Sequence, residues 1–277
     1  MKLPRLRTIL LAPLILFALF YLTGVIMLAS NDRTIAAFQG TPSGLDTIAI
    51  FGASGTAGDG ILKAVLADPD VGTIHVITRR ATPRIEEGVS SGKVQMTTHM
   101  DYLDYSAIRE QVADVDAVYW AIGLSSWGVD EETYSMIHVD FPVAFIQDWL
   151  DASSRGDISF HYISSSDISE ESSAMWAKEK YRAEQTLFAA ADGSKLRVIA
   201  YRPDYIGPTQ EEAHLGQKML YGFFRPVGAA VKATEIGETM LEVTVRGDEF
   251  ENGDRVGTGS IMRYADAYAR RRQAAGE

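Results

Sequence analysis

Residues 47–58 read Thr-Ile-Ala-Ile-Phe-Gly-Ala-Ser-Gly-Thr-Ala-Gly, and this segment restricts the chain to very few folds. An apolar run suited to a buried strand ends at Gly52. Gly55 and Gly58 follow at intervals of three, and the stretch from Asp59 to Leu66 has helical character. Strand, glycine turn and helix in that order form a dinucleotide-binding turn. The first glycine allows a tight turn, the second lets the backbone approach a pyrophosphate, and the third lets the helix pack closely on the strand. Free N–H groups at the helix start then face the phosphates. Gly52, Ser54, Gly55, Thr56, Ala57 and Gly58 are therefore candidate cofactor contacts.

Downstream, strand-like and helix-like stretches alternate. Strands are predicted at 74–78, 94–99, 117–122, 158–163 and 196–201. Helices are predicted at 106–112, 131–152, 172–191 and 234–245, with Pro142 kinking or dividing the second and Thr234 capping the last. Alternation of this kind implies an α/β fold with a doubly wound parallel sheet, the Rossmann arrangement. The stretch 208–232 is irregular, and Met219, Leu220, Tyr221, Phe223 and Phe224 suit a small apolar lid.

The N-terminus has a different character. Residues 9–29 are 21 residues without a charge, preceded by Lys2, Arg5 and Arg7. About 20 apolar residues span a bilayer, and a cleaved signal would have a shorter apolar core. The prediction is an uncleaved single-pass transmembrane helix in 1–30, a polar linker in 31–45, and a nucleotide-binding domain in 46–277 with its lid near 207–233. The basic flank favours a cytoplasmic N-terminus and a domain outside, whereas a dinucleotide cofactor favours the cytoplasm, so the side is left open. A formal charge of −11 argues against nucleic acid as a partner. With no cysteine, disulfides and thiolate chemistry are excluded. The five histidines show no metal-ligand spacing.

The second predicted strand ends in Thr78-Arg79-Arg80, where an NAD site would carry an acidic residue. Arginine forks match a phosphate, so Arg79 and Arg80 point to NADP over NAD, the other reading being a solvated strand end. Asp101 is placed either to accept from an adenine amino group or to form a turn before Asp104. Ala121 and Gly123 close the fourth strand at the cofactor edge. The run Arg270–Arg272 reads as a solvated helix end, and His161 as a packing residue within a strand.

Taken together, Gly52-Ala-Ser-Gly55-Thr-Ala-Gly58, Thr78-Arg79-Arg80, Asp101-Tyr-Leu-Asp104, Ala121-Ile-Gly123, Ser164–Ser166, Met175-Trp-Ala-Lys-Glu-Lys180 and Arg202-Pro203 resemble the short-chain dehydrogenase/reductase superfamily, in its atypical, epimerase-like branch. The resemblance implies a Tyr-x-x-x-Lys pair, in which the tyrosine carries the substrate proton and the lysine binds the nicotinamide ribose. It also implies a serine that holds the substrate oxygen. Lys180 matches the lysine and Ser164 the serine, while the tyrosine position is Trp176. Indole N–H donates a hydrogen bond but is no acid or base. Tyr181 follows Lys180 by one residue, about 100° around the helix, and cannot replace the missing hydroxyl. Trp176 either covers the ligand or packs in the core. His138, or Asp140, falls near the position of a family active-site asparagine, and Arg202 is implied at the cofactor. Two functions stay open: a membrane-anchored NADP-dependent oxidoreductase or epimerase-like enzyme acting on a small carbonyl or alcohol, and a non-catalytic NADP(H)-binding sensor or assembly factor. Oligomeric state is not legible.

Overall fold

The computed structural model describes residues 6–30, 34–209, 211 and 213–276, with backbone alone for 6–12, 29 and 30. Helix α1 (Leu6–Ser30) precedes strand β1 (Thr47–Phe51), α2 (Thr56–Ala67), β2 (Thr73–Thr78), α3 (Pro83–Ser90), β3 (Val94–Thr98), α4 (Arg109–Val112) and β4 (Ala117–Trp120). Next come α5 (Glu131–Ser135), a π turn (Met136–Asp140), α6 (Phe141–Ala152), β5 (Ile158–Ile163), α7 (Met175–Ala191), β6 (Leu196–Arg202) and β7 (Tyr205–Gly207). The chain closes with α8 (Leu215–Phe224), β8 (Ala230–Lys232), α9 (Ala233–Val245), β9 (Arg255–Gly257) and α10 (Thr258–Ala274).

Seven strands form one parallel sheet in the order β3-β2-β1-β4-β5-β6-β9. The α/β doubly wound expectation therefore holds, with the order reversing between β1 and β4, where such sheets open a crevice. Helices cover both faces, so the strands are apolar on both sides rather than alternating. On β1, Ile48 and Ile50 join the core beneath α2, α9 and α10, while Ala49 and Phe51 join the core beneath α4, α6 and α7. A two-stranded parallel ribbon, β7 with β8, brackets α8 outside the main sheet.

Boundaries differ from the sequence expectation in instructive ways. Helix α2 begins at Thr56 rather than Asp59, and α7 at Met175 rather than Ser172. Thr234 lies inside the first turn of α9. Lys232 takes the cap position, where its N–H donates to Glu235 at 2.8 Å. Pro142 does not divide the long helix. It sits in the first turn of α6, after the π turn in which Phe141 N–H donates to Met136 O. Proline has no N–H for the carbonyl four residues back. That carbonyl, on His138, accepts instead from the Tyr162 hydroxyl at 3.2 Å.

Among the described residues, no helix is long and apolar enough to cross a membrane. The predicted transmembrane span is thus unsupported. Side chains are described only between Pro13 and Leu28 of α1, and residues 9–12 and 29 of the predicted span lie outside them. Within that part, α1 packs against α8 and the turn that follows it, with Gly24 facing Val227 and Leu28 facing Gly228. Phe17 stacks on Phe223 with ring centroids 6.1 Å apart, and the Tyr21 hydroxyl donates to the Phe223 carbonyl at 2.8 Å.

Candidate active site at the carboxyl edge of the sheet

The glycine turn has the geometry its spacing implies. Gly52 adopts φ +80, and a Cβ there would lie 2.6 Å from the Ala121 carbonyl, so β1 and β4 meet through bare backbone. A Cβ on Gly58 would lie 2.0 Å from the Gly52 oxygen, which keeps α2 tight against β1. Gly55 behaves differently. It is exposed, at φ −98, and its Cβ would meet nothing nearer than 3.5 Å within the protein. Nothing inside the chain demands glycine there, which fits a group approaching from outside. Gly55 caps α2 without a side-chain hydrogen bond, and Thr56 beside it is exposed, so the helix N-terminus is open to an anion. Ser54 and Ala57 flank this opening half-buried, and Ala121 and Gly123 border it from β4.

The second half of the edge is built by β5, α7 and the π turn. Ser164 directly follows β5, fixed by its N–H donating to the Tyr201 carbonyl at 2.7 Å. Its hydroxyl is buried with no hydrogen-bond partner among the described residues. Lys180 reaches from α7 to donate to the Ile163 carbonyl at 2.8 Å, which brings its ammonium beside Ser164, and it lies 5.3 Å from the Tyr162 ring centre. Burial lowers its pKa to about 8, partly offset by Glu184. Trp176, one turn earlier on the same face, is half-buried and belongs to neither core cluster. It is placed at the edge and not in the core. Tyr181 lies on another face, as its position in the helix dictates.

His138 comes into this group from the π turn, a form frequent at functional sites because it turns side chains out of helical register. Its ring packs on Tyr134 at 4.2 Å between centres and crowds Gly123, where a Cβ would lie 2.9 Å from it. Its Nδ1 is buried without a hydrogen-bond partner among the described residues. Burial, and secondarily the Lys180 charge, holds its pKa at about 3. Tyr134, which the sequence reading did not single out, sits four residues before His138, and burial raises its phenol to about 12. The resulting group is Ser164, Lys180, His138 and Tyr134, with Trp176 one turn before Lys180 on the same helix. Among the described residues no cluster is placed to hold a metal.

Other predicted contacts lie elsewhere or are already engaged. Arg79 and Arg80 are exposed just beyond β2, and among the described residues neither forms an ion pair. Asp101 is exposed and accepts from Leu103 N–H at 3.0 Å, the turn geometry that was its other reading. Arg202 is engaged within the chain. Its guanidinium grips Glu184 at 2.8 and 2.5 Å, and Arg255 joins the same carboxylate at 3.1 Å. A fully buried Glu184 needs such partners to remain charged. The Arg270–Arg272 run is not a solvated helix end. Arg271 is buried and bonds Glu242 at 2.9 Å and Asp70 at 3.0 Å, and Arg272 bonds Asp70 at 2.6 Å.

His161 is a core residue. Its Nδ1 meets the Tyr201 hydroxyl at 2.8 Å and its Nε2 the Ser159 hydroxyl at 2.9 Å. Burial, with a smaller effect of Arg197, holds its pKa at about 3, as for His138. Both are neutral in the folded chain, whereas an unfolded histidine protonates below about 6.5. Stability from these rings is thus complete above pH 6.5 and is lost as pH falls toward 3. At pH 5 the loss is about 2 kcal/mol for each ring. Urea unfolding at pH 7 and pH 5 measures it, and a variant with both His138→Asn and His161→Asn should show a much flatter response. Equal midpoints for the unmodified chain at the two pH values would mean the rings protonate freely in the fold.

No protein-family model matches the sequence, and no curated protein matches it. Solved structures do. A short-chain dehydrogenase/reductase from Mycobacterium ulcerans is similar at 18% identity and a TM-score of 0.59, over 82% of this chain and 92% of that one. A 3-oxoacyl-[acyl-carrier protein] reductase from Brucella melitensis is similar at 15% identity and a TM-score of 0.61, over 79% and 97%. A short-chain dehydrogenase/reductase from Saccharomyces cerevisiae is similar at 13% identity and a TM-score of 0.59, over 77% and 96%. The chain has the fold of the short-chain dehydrogenases/reductases.

Proposed function

We propose that the chain is an NADP-dependent oxidoreductase or epimerase-like enzyme of the short-chain dehydrogenase/reductase superfamily, in its atypical epimerase-like branch, acting on a small carbonyl or alcohol substrate. The observation that carries this reading is the pairing, at one sheet edge, of an open glycine turn with the unpartnered Ser164 hydroxyl and the Lys180 ammonium. The residues fit the cofactor: the backbone at Gly55, Thr56 and Ala57 would hold the pyrophosphate, and Lys180 the nicotinamide ribose. When bound, NADP supplies or accepts a hydride. Ser164 Oγ is positioned to donate a hydrogen bond to the substrate oxygen, a need its burial leaves unmet within the chain. Trp176 would cover the same edge. Lys180, with a pKa of about 8, holds a proton at neutral pH and can release one in the range where an acid–base group is most effective.

Cofactor choice is assigned to Arg79 and Arg80, exposed and without ion pairs among the described residues. Replacing both by Ala should weaken NADPH binding by roughly 1–3 kcal/mol and hardly change NADH binding. Fluorescence titration of the full chain with each cofactor measures this. Equal losses would remove the assignment to NADP.

A second reading is a non-catalytic NADP(H)-binding protein, and Trp176 favours it, because no hydroxyl stands four residues before Lys180. Both readings place the protein at a membrane through residues 9–29. The support is a 25-residue helix α1 whose side chains Leu14, Leu16 and Phe20 are exposed although wholly apolar.

A further inference from the structure

Helix α8 carries its amphipathic pattern inside out. Leu215, Met219 and Phe223 recur every four residues with Leu220 beside them, and they are 75%, 69%, 44% and 48% exposed respectively. Gln217, Lys218 and Tyr221 project from the opposite face and, with Lys63, Pro208 and Lys232, line a cleft of about 720 Å³. A helix on a water-soluble surface turns its apolar stripe inward. Here the inward side is taken by the cleft, so among the described residues the stripe meets a partner only at one end. That end is where Phe223 receives Phe17 and Tyr21 of α1. The exposed apolar side chains of α1 and α8 therefore run into one another as a continuous surface, and the stripe itself carries no charge.

We propose that the outer face of α8 lies in the lipid–water interface of a bilayer, as an in-plane helix beside α1. The inference rests on the membrane reading of α1 and extends it from an anchor to a docking face. An apolar stripe on a short helix adds membrane affinity by burial of area in the acyl boundary, with Lys218 on its other face.

The absence of cysteine makes the test direct. Full-length chain would be reconstituted in phosphatidylcholine vesicles after Met219→Cys, Lys218→Cys or Phe20→Cys and nitroxide labelling, with accessibility to oxygen and to a water-soluble nickel complex read by electron paramagnetic resonance. The proposal expects lipid-type accessibility at 219 and water-type at 218. A label at 20 in lipid with 219 in water overturns the α8 proposal while the anchor stands. A label at 219 in lipid with 20 in water overturns the anchor and with it the placement of α8 beside α1. Water-type accessibility at both 20 and 219 overturns both. A label at 219 shielded from both reagents, with spin–spin broadening, would show a second copy on this face and overturn the proposal.

Discussion

Trp176→Tyr should raise NADPH-linked carbonyl reduction by about 10²–10⁴-fold, the usual contribution of a positioned acid–base group. The geometry supplies what such a group needs. Position 176 shares a face of α7 with Lys180, one turn away, and Lys180 is pinned to the end of β5 beside Ser164. A phenol there would sit near a cation that lowers its pKa by stabilising the phenolate. Trp176 is outside both core clusters, so replacing it removes no core packing. Steady-state rates with a panel of ketones and aldehydes, together with NADPH affinity, decide the case. A large gain at unchanged affinity means the unmodified chain is a binder or a very slow enzyme. Loss of an activity already present means the indole shapes the working pocket. Lys180→Ala is the control. Should it leave NADPH affinity untouched, α7 does not face the cofactor, and the whole site is misplaced.

Much of this was legible in the sequence, because local signals agreed. The glycine turn, the apolar runs at β1, β2, β4, β5 and β6, and the helical stretch before Gly193 each carry their own pattern, and together they determine a doubly wound sheet. What escaped were features set by distant residues. Strand β9 is three residues long and exists because β6 offers it an edge. Arg271 looks like a solvated charge until Asp68, Asp70 and Glu242 are brought to it by α2, α9 and α10. Arg202, which the family resemblance implied at the cofactor, pairs with Glu184, buried eighteen residues earlier on α7, a partner its own segment does not announce. Helix α8 was hidden for another reason. Gly216 and Gly222 lower its helix propensity, and its apolar stripe faces outward.

Two glycines three residues apart should respond to the same mutation in opposite ways, and that contrast tests whether the turn serves the fold or a ligand. Gly58→Ala inserts a methyl 2.0 Å from the Gly52 oxygen and 2.6 Å from its carbonyl carbon. The obstacle is backbone, and Gly52 cannot retreat, since its own position would put a Cβ 2.6 Å from Ala121. Overpacking of this kind costs about 3 kcal/mol or more. For a chain of this size that lowers Tm by roughly 6–12 °C. Gly55→Ala meets only an ordinary contact of 3.5 Å and an accessible φ of −98. Its structural cost is confined to a poorer helix cap, about 1 kcal/mol. The added methyl would nevertheless stand where the backbone must admit a pyrophosphate, so NADPH affinity should fall about tenfold or more. Differential scanning calorimetry and cofactor titration on both variants separate the two effects. Gly55→Ala binding NADPH as tightly as the unmodified chain would falsify the assignment of this turn to phosphate, whereas a Gly58→Ala chain of unchanged Tm would mean that α2 does not press on β1 as closely as the turn requires.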